Sequence, residues 1–240
     1  MKLDKIDNNL ELIDLCLYLH KQHTLIIADT HIGFEEALNK QGLLIPRLQF
    51  KDIMVHLENI FLKIKPKTIV INGDIKHEFG NISEQEWRDT LKLIDYLASN
   101  CRELVLVKGN HDTILGPIAN KRNIKIVDFL VLGDYLIVHG DKEIKKEQLK
   151  NIKTIILAHE HPAISLKEEA RVELFKCFLI GKYKGKNLIV MPSFNFVTEG
   201  TDVLKQELLS PILKEVNLDN FHVYIVSDKV YGFGNIANLR

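Results

Sequence analysis

Five short polar clusters in this chain each follow an apolar run. Asp29-Thr30-His31 follows Leu25-Ile26-Ile27-Ala28, and Gly73-Asp74, with His77 three residues on, follows Ile69-Val70-Ile71-Asn72. Gly109-Asn110-His111-Asp112 follows Leu104 to Val107, His139-Gly140-Asp141 follows Leu136-Ile137-Val138, and His159-Glu160-His161-Pro162 follows Ile155-Ile156-Leu157-Ala158. Carboxylate, amide oxygen and imidazole are donors for divalent transition metals. In an extended chain, residues i and i+2 point to the same side. Asp29 and His31 can then share one metal, and His159 and His161 can present two imidazoles to one pocket, with Pro162 biasing His161 toward extended backbone. Glycines 73, 109 and 140 permit tight turns and close backbone approach. A lone D-x-H arises often by chance, an H-x-H is as readily a pair of surface histidines, and Asn with Gly suits an ordinary turn. Five such clusters, each at the end of an apolar run, make chance a poor explanation.

The elements that must position these clusters are legible in outline. Leu10 to Leu19 and Thr24 to Ala28 read as two strands, followed after Asp29 by an irregular stretch containing Gly33, Gly42 and Pro46. Phe50, Ile53, Met54, Leu57, Ile60, Phe61 and Ile64 form an i, i+3, i+4, i+7 stripe, which predicts a helix from Gln49 to Lys63. Thr68 to Ile71 is a β-branched strand. Ser83 with Glu86 forms a capping box, and Ile82 can staple against Trp87. The helix opened there should reach Ser99 and bury Trp87, Leu91, Ile94 and Leu97.

Leu104 to Val107 is the next strand, so the first half alternates strand and helix and favours a largely parallel sheet. The second half is richer in strands: Ile124 to Leu132, Tyr135 to Val138, Thr154 to Leu157 after a charged helical segment, Val172 to Tyr183, Asn187 to Met191, Phe221 to Val226 and Val230 to Phe233. Ligands of such sheets bind beyond the carboxyl ends of the strands, which is where all five clusters fall. No internal repeat or low-complexity linker divides the sequence, and one domain is expected.

Composition narrows the classes. Hydrophobic residues at 46% and charged residues at 27% are globular values. No apolar run approaches a membrane span, and Asp4, Asp7, Glu11 and Asp14 occupy the place of a signal peptide's apolar stretch. A soluble, cytoplasmic chain without membrane association is expected. The 32 basic and 32 acidic side chains cancel, which removes the global charge argument for a nucleic-acid binder and leaves only local patches. Cys16, Cys101 and Cys177 are too few and too scattered for a disulfide framework or a thiolate metal site.

The ordered set D-x-H, G-D, G-N-H-D, H-G, H-x-H, spanning Asp29 to His161, resembles the calcineurin-like metallophosphoesterase superfamily. Asp29-Thr30-His31-Ile32-Gly33 with Gly73-Asp74-Ile75-Lys76-His77 is further similar to the SbcD-type DNA-repair nuclease branch. Phe34 to Pro46, with Gly42-Leu43 ahead of Pro46, resembles small SbcD-related phosphoesterases, some associated with DNA ligase or helicase. Ala158 departs from the glycine that usually precedes the H-x-H. The resemblance implies an α/β fold of two packed mixed β-sheets flanked by helices, a four-layer sandwich covering residues 1–240 without a separate DNA-capping domain.

It also implies two divalent metal ions, Mn²⁺ first and Fe, Zn²⁺ or Ni²⁺ as alternatives. Asp29, His31, Asp74 and His161 would hold the first. Asp74 would bridge to a second held by Asn110, His139 and His159. His111 would stand beside the substrate as a donor or general acid, Asp112 would orient its ring, and His77 would contact a phosphate oxygen. The expected activity is hydrolysis of phosphodiester bonds, as a DNA-repair nuclease or end-processing enzyme on DNA ends or single strands, with a repair helicase or ligase as partner. The alternatives are a small-molecule phosphomonoesterase or cyclic-nucleotide phosphodiesterase and, in a different class, a non-catalytic scaffold on the same fold.

Other conspicuous residues have plainer readings. His20, His23, His56 and His222 fall outside the clusters and read as surface residues. Glu160 should point away from its histidine neighbours, and Asp141 reads equally as a turn residue or a support to the site. Lys182, Lys184 and Lys186 make a basic hairpin tip that solvation explains better than phosphate contact. Trp87, Phe50 and Phe61 have helical core spacing rather than that of base-stacking residues.

Overall fold

The computed structural model describes residues 8–80, 83–113, 115, 122, 124–168 and 171–240. Its first sheet has the order β1 (Leu10–Ile13), β2 (Cys16–Leu19), β3 (Thr24–Ile27), β4 (Thr68–Asn72), β5 (Glu103–Val107) and β6 (Lys125–Val127). The pairings β1·β2 and β2·β3 are antiparallel; those from β3 through β6 are parallel. Helices α1 (Phe34–Lys40), α2 (Gln49–Lys63) and α3 (Glu84–Ser99) fall in the β3–β4 and β4–β5 connections.

The second sheet contains β7 (Phe129–Leu132), β8 (Tyr135–Val138), β9 (Thr154–Leu157), β10 (Pro162–Glu168), β11 (Arg171–Tyr183), β12 (Lys186–Val190), β13 (Thr201–Asp202), β14 (His222–Val226) and β15 (Val230–Asn235). They run in the order β13-β10-β11-β12-β9-β8-β7, and β14 pairs with both β11 and β15. A short helix, α4 (Pro211–Lys214), lies between β13 and β14.

Side-chain alternation along the strands builds the layers. Leu25, Ile27, Ile69, Ile71, Leu104 and Leu106 face Ile53, Leu57, Ile60 and Phe61 of α2 and Leu93, Ile94 and Leu97 of α3. Their alternates Ile26, Val70, Val105 and Val107 turn the other way and pack on Tyr135, Ile137, Ile156, Phe178 and Ile189 of the second sheet. The outer face of that sheet is covered by Ile212 and Leu213 of α4 with Leu218 and Ile236. The result is a mixed α/β fold of two packed sheets flanked by helices.

Three strand expectations change. The run Leu10 to Leu19 is a hairpin, because Asp14 adopts φ 54° and its Oδ1 accepts the Leu15 N–H at 2.8 Å. Both strands are almost wholly buried, so apolar residues resume directly on either side of Asp14, and that lone aspartate does not mark the turn in the sequence. Ile124 to Leu132 also splits: β6 pairs with β5 and β7 with β8, so the chain passes from one sheet to the other at Asp128. The strand β10 has no counterpart in the reading, since its initial Pro162 and charged end obscure it; Pro is tolerated at the first position of a strand.

The irregular stretch after Asp29 includes α1, and the charged segment before Thr154 forms only a 3₁₀ turn, Lys146–Leu149. Ser83 caps α3 by accepting the Glu86 N–H at 3.1 Å, whereas the Glu86 carboxylate serves other N–H groups. The proposed staple partner, Ile82, lies outside the described residues. No helix among the described residues is long and apolar enough to cross a membrane.

Candidate metal centre

Because β3, β4 and β5 are parallel neighbours, their carboxyl ends open side by side. The first two loops continue the ladder: Asp29 N donates to Gly73 O at 3.2 Å, His31 N to Asp74 O at 2.9 Å and Ile32 N to Ile75 O at 2.9 Å. In the second sheet, β8 and β9 deliver His139 and His159, and Ala158 N donates to His139 O at 2.9 Å. The buried Ala158 therefore fills the usual glycine position without loss of the turn. The sheets are joined at the site itself, where His159 N donates to Asp29 Oδ2 at 2.9 Å and Asn72 Nδ2 to Val138 O at 3.2 Å.

The backbone reaches this convergence differently from the extended reading. Asp29, His31, Asp74, His159 and His161 have φ of 52°, 43°, 47°, 68° and 49°. Such left-handed conformations are uncommon outside glycine and persist where surrounding structure enforces them. Pro162 does not keep His161 extended. Two glycines are required by close approach: a Cβ on Gly109 would lie 2.1 Å from Asp74 Oδ1, and one on Gly73 would lie 2.0 Å from His139 Nδ1.

Two donor groups share this space. Asp29, His31 and His161 offer atoms within 4.8 Å of one another, as do Asp74, His139 and His159. His31 Nε2 lies 3.2 Å from His161 Nε2 and 3.7 Å from Asp74 Oδ2, and His161 Nε2 is 3.4 Å from Asp29 Oδ2. On the other side, His139 Nε2 lies 3.3 Å from Asp74 Oδ2 and 3.1 Å from Asn110 Oδ1. Asp74 Oδ2 thus stands between the groups. Two nitrogens each about 2.1 Å from one cation are about 3.0–3.4 Å apart, the spacing of the His31–His161 pair. Asp29 Oδ1 is buried and lacks a hydrogen-bond partner. A donor set of carboxylates, amide oxygen and imidazoles, with this geometry, fits a pair of divalent metal ions.

Burial and mutual charge set the protonation states. Burial lowers the His139 imidazole, but its hydrogen bond to Asp74 and the charges of Asp29 and Asp74 raise it to about 9. Burial raises Asp74, yet His139 and the surrounding imidazoles hold it below the usual carboxylate range. His31 is pushed well below its ordinary value by burial and then by His161, and His159 is lowered by burial and then by His139. The lowered His31 and His159 imidazoles favour the neutral form that a metal ligand needs, whereas His139 would have to give up its proton to serve as one.

His111 stands at the edge of the site, its Nε2 3.9 Å from Asp74 Oδ2 and its backbone N donating to Asp74 Oδ1 at 2.9 Å. Its Nδ1 bonds the carbonyl of His77. Asp112 does not touch that ring: its oxygens accept the N–H groups of Gly109 at 3.0 Å and Ile75 at 3.1 Å, holding two loops together. Its carboxyl is raised to about 6, chiefly by burial. His77 lies within a third donor group with His31 and His111, and burial followed by the neighbouring His111 lowers it to about 4.

Supports that the sequence reading missed act on backbone. Lys76, almost fully buried, donates to the carbonyls of Glu78 and His111. Glu86 Oε1 accepts the N–H groups of His77 and Glu78, each at 2.9 Å. Glu160 does point away from the histidines, as expected, but it is wholly buried and accepts the N–H groups of Leu209 and Ser210. Ser210 Oγ donates in turn to Gly140 O at 2.9 Å, so one turn braces both second-sheet loops. Only the unusual burial of these charges marks them, and sequence does not display burial.

The plainer residues fall elsewhere. His23 and His222 are exposed, His20 pairs with Glu11 at 2.7 Å and His56 with Asp14 at 2.6 Å. Asp141 pairs with Lys142. Lys182, Lys184 and Lys186 bond Asn187, Glu215 and the Ile152 carbonyl.

Residues 23–219 match the family model described as calcineurin-like phosphoesterase. Among solved structures, this chain is similar to nuclease MPE of Pseudomonas putida, with a TM-score of 0.68 at 19% identity, covering 95% of this chain and 96% of that one. Vacuolar protein sorting 29 from Cryptosporidium parvum gives a TM-score of 0.41 at 13% identity over 88% and 97% of the two chains. Zinc-complexed wild-type Vps29 from Entamoeba histolytica gives 0.39 at 17% identity over 87% and 96%. A search of curated proteins found no match.

Proposed function

The chain belongs to the calcineurin-like phosphoesterase family, and from that premise we propose that it is a two-metal phosphodiesterase acting on nucleic acid. The observation that carries the reading is Asp74 Oδ2 standing between two donor groups, each with two buried members and one half-buried histidine, with His111 Nε2 beside it. Asp29, His31, Asp74 and His161 would hold one cation and Asp74, Asn110, His139 and His159 the other. When bound, the metal pair would lower the pKa of a water and neutralise phosphate oxygens. Mn²⁺ is the proposed resident, following the SbcD-like motifs at Asp29–Gly33 and Gly73–His77. Those motifs, and a nuclease that shares the fold, support nucleic acid as the substrate; the DNA-repair setting and a helicase or ligase partner follow from the motif resemblance alone.

The chain's own groups do the remaining work. The His77 carbonyl accepts a hydrogen bond from His111 Nδ1–H, which fixes the ring's tautomer and leaves Nε2 on the side of Asp74 Oδ2, where a metal-bound phosphate would lie. Protonated at Nε2, His111 can donate to the leaving oxygen as general acid. Lys76 and Asp112 hold the loops on either side of that ring, and Glu86 fixes the loop that carries His77.

The test is turnover of a phosphomonoester, a small phosphodiester, single-stranded DNA and duplex DNA, each across several divalent metals. Metal-dependent hydrolysis of the diesters, fastest on single strands and with Mn²⁺, is expected. Hydrolysis of the monoester alone would overturn the nuclease reading, and metal-loaded protein inactive on all four would favour a scaffold.

A further inference from the structure

Phe79 is 55% exposed, yet its ring is not a loose surface group. It lies over the imidazole of His111, with centroids 3.7 Å apart and planes 30° apart. The loop that carries it is tied to the His111 loop three times: His111 Nδ1 to His77 O, Lys76 Nζ to His111 O, and Thr113 Oγ1 to Phe79 O at 2.6 Å. A second aromatic ring, Phe34, stacks on His77 at 4.2 Å and 20°. Single exposed apolar side chains are ordinary. Here a half-exposed aromatic is anchored through its backbone beside the group assigned to the leaving oxygen.

We propose that Phe79 is a stacking platform for the nucleobase on the leaving side of the scissile phosphate, which makes an unpaired nucleotide the preferred substrate. The inference rests on the phosphodiesterase reading above and specifies which nucleic acid that site takes. One face of the ring covers His111, and among the described residues the 55% exposed side chain leaves the rest of the ring open. His111 lies beside the leaving oxygen, so the nucleoside bearing that oxygen is within a ribose's reach of the open face. In a duplex both faces of a base are covered by its neighbours, and the platform can be used only when the base is unstacked. Aromatic stacking of this kind accepts any base, because each has a π-face.

The experiment uses the metal-loaded full chain and the dinucleoside monophosphate TpT, which contains one hydrolysable linkage. It is compared with two analogues in which a tetrahydrofuran abasic residue replaces one or the other nucleoside; the product without phosphate identifies the leaving side. For the parent, TpT is expected to exceed the leaving-side abasic analogue by roughly 5- to 150-fold in kcat/KM. Phe79→Ala should bring that ratio close to one, and Phe79→Trp should retain it. Phe79→Leu, which keeps apolar bulk without the π-face, should also give a ratio near one and replaces the alanine variant if that fails to fold.

A parent ratio of one would overturn the platform while leaving the phosphodiesterase reading intact. So would equal losses on both substrates in Phe79→Ala, the pattern of a ring that merely positions His111. If the parent hydrolyses a phosphomonoester but none of the three diesters, the phosphodiesterase reading itself falls, and the platform with it.

Discussion

On the proposed reading, His111 and Asp74 divide chemistry from metal binding within one loop cluster. His111 approaches Asp74 Oδ2 only to 3.9 Å and is fixed through its other nitrogen, so His111→Ala should retain two metal ions per chain while losing roughly 10²–10⁴ in turnover. Metal analysis beside steady-state rates on a diester with a poor leaving group checks this; parental turnover would remove the acid role. At this scale the donor types and their order along the chain were legible, because metal chemistry restricts both. The left-handed backbone at Asp29, His31, Asp74, His159 and His161 was not, since D-x-H and H-x-H look the same in extended and left-handed form. Nor were Lys76 and Glu160, whose partners are backbone groups of other loops.

The parallel run β3-β4-β5 and the pair β8-β9 convert five separated sequence clusters into one site, and the loops tolerate little between them. Gly109→Ala changes no ligand, yet its Cβ would fall 2.5 Å from Asp74 N as well as on the carboxylate. It should therefore weaken metal binding at both positions, as read by equilibrium dialysis; unchanged occupancy would show that the two loops are less tightly apposed. Away from the site, the β1–β2 turn is tied to α2 by the Asp14–His56 pair.

The hydrogen bond to Asp14 raises the His56 imidazole above its ordinary value. A raised folded pKa gives stability that is complete below the unfolded value near 6.5 and is lost as pH rises through the folded one. Asp14→Asn should lower the urea midpoint more at pH 5.5 than at pH 9, and equal losses would exclude the charged pair. Helices α2 and α3 and most strands were legible from periodicity. The turn at Asp14 and the sheet switch at Asp128 were not legible, because a single aspartate inside an otherwise apolar run does not announce a change of chain direction.

Across the whole molecule, charge cancels to zero and the hairpin-tip lysines are engaged internally. Phosphate contacts dominate nucleic-acid affinity, so the isolated chain should cleave distributively, and competitor DNA added after initiation should stop the shortening of a long duplex. Continued shortening would reveal a phosphate-binding track. On the proposed reading, the two sheets meet to hold two cations on one shared carboxylate. Equilibrium dialysis of Mn²⁺ against the parent and Asp74→Ala, with circular dichroism confirming that both are folded, tests it most directly. Two ions per parent chain and depleted occupancy at both positions in the variant are expected; full occupancy in folded Asp74→Ala would rule out the shared carboxylate.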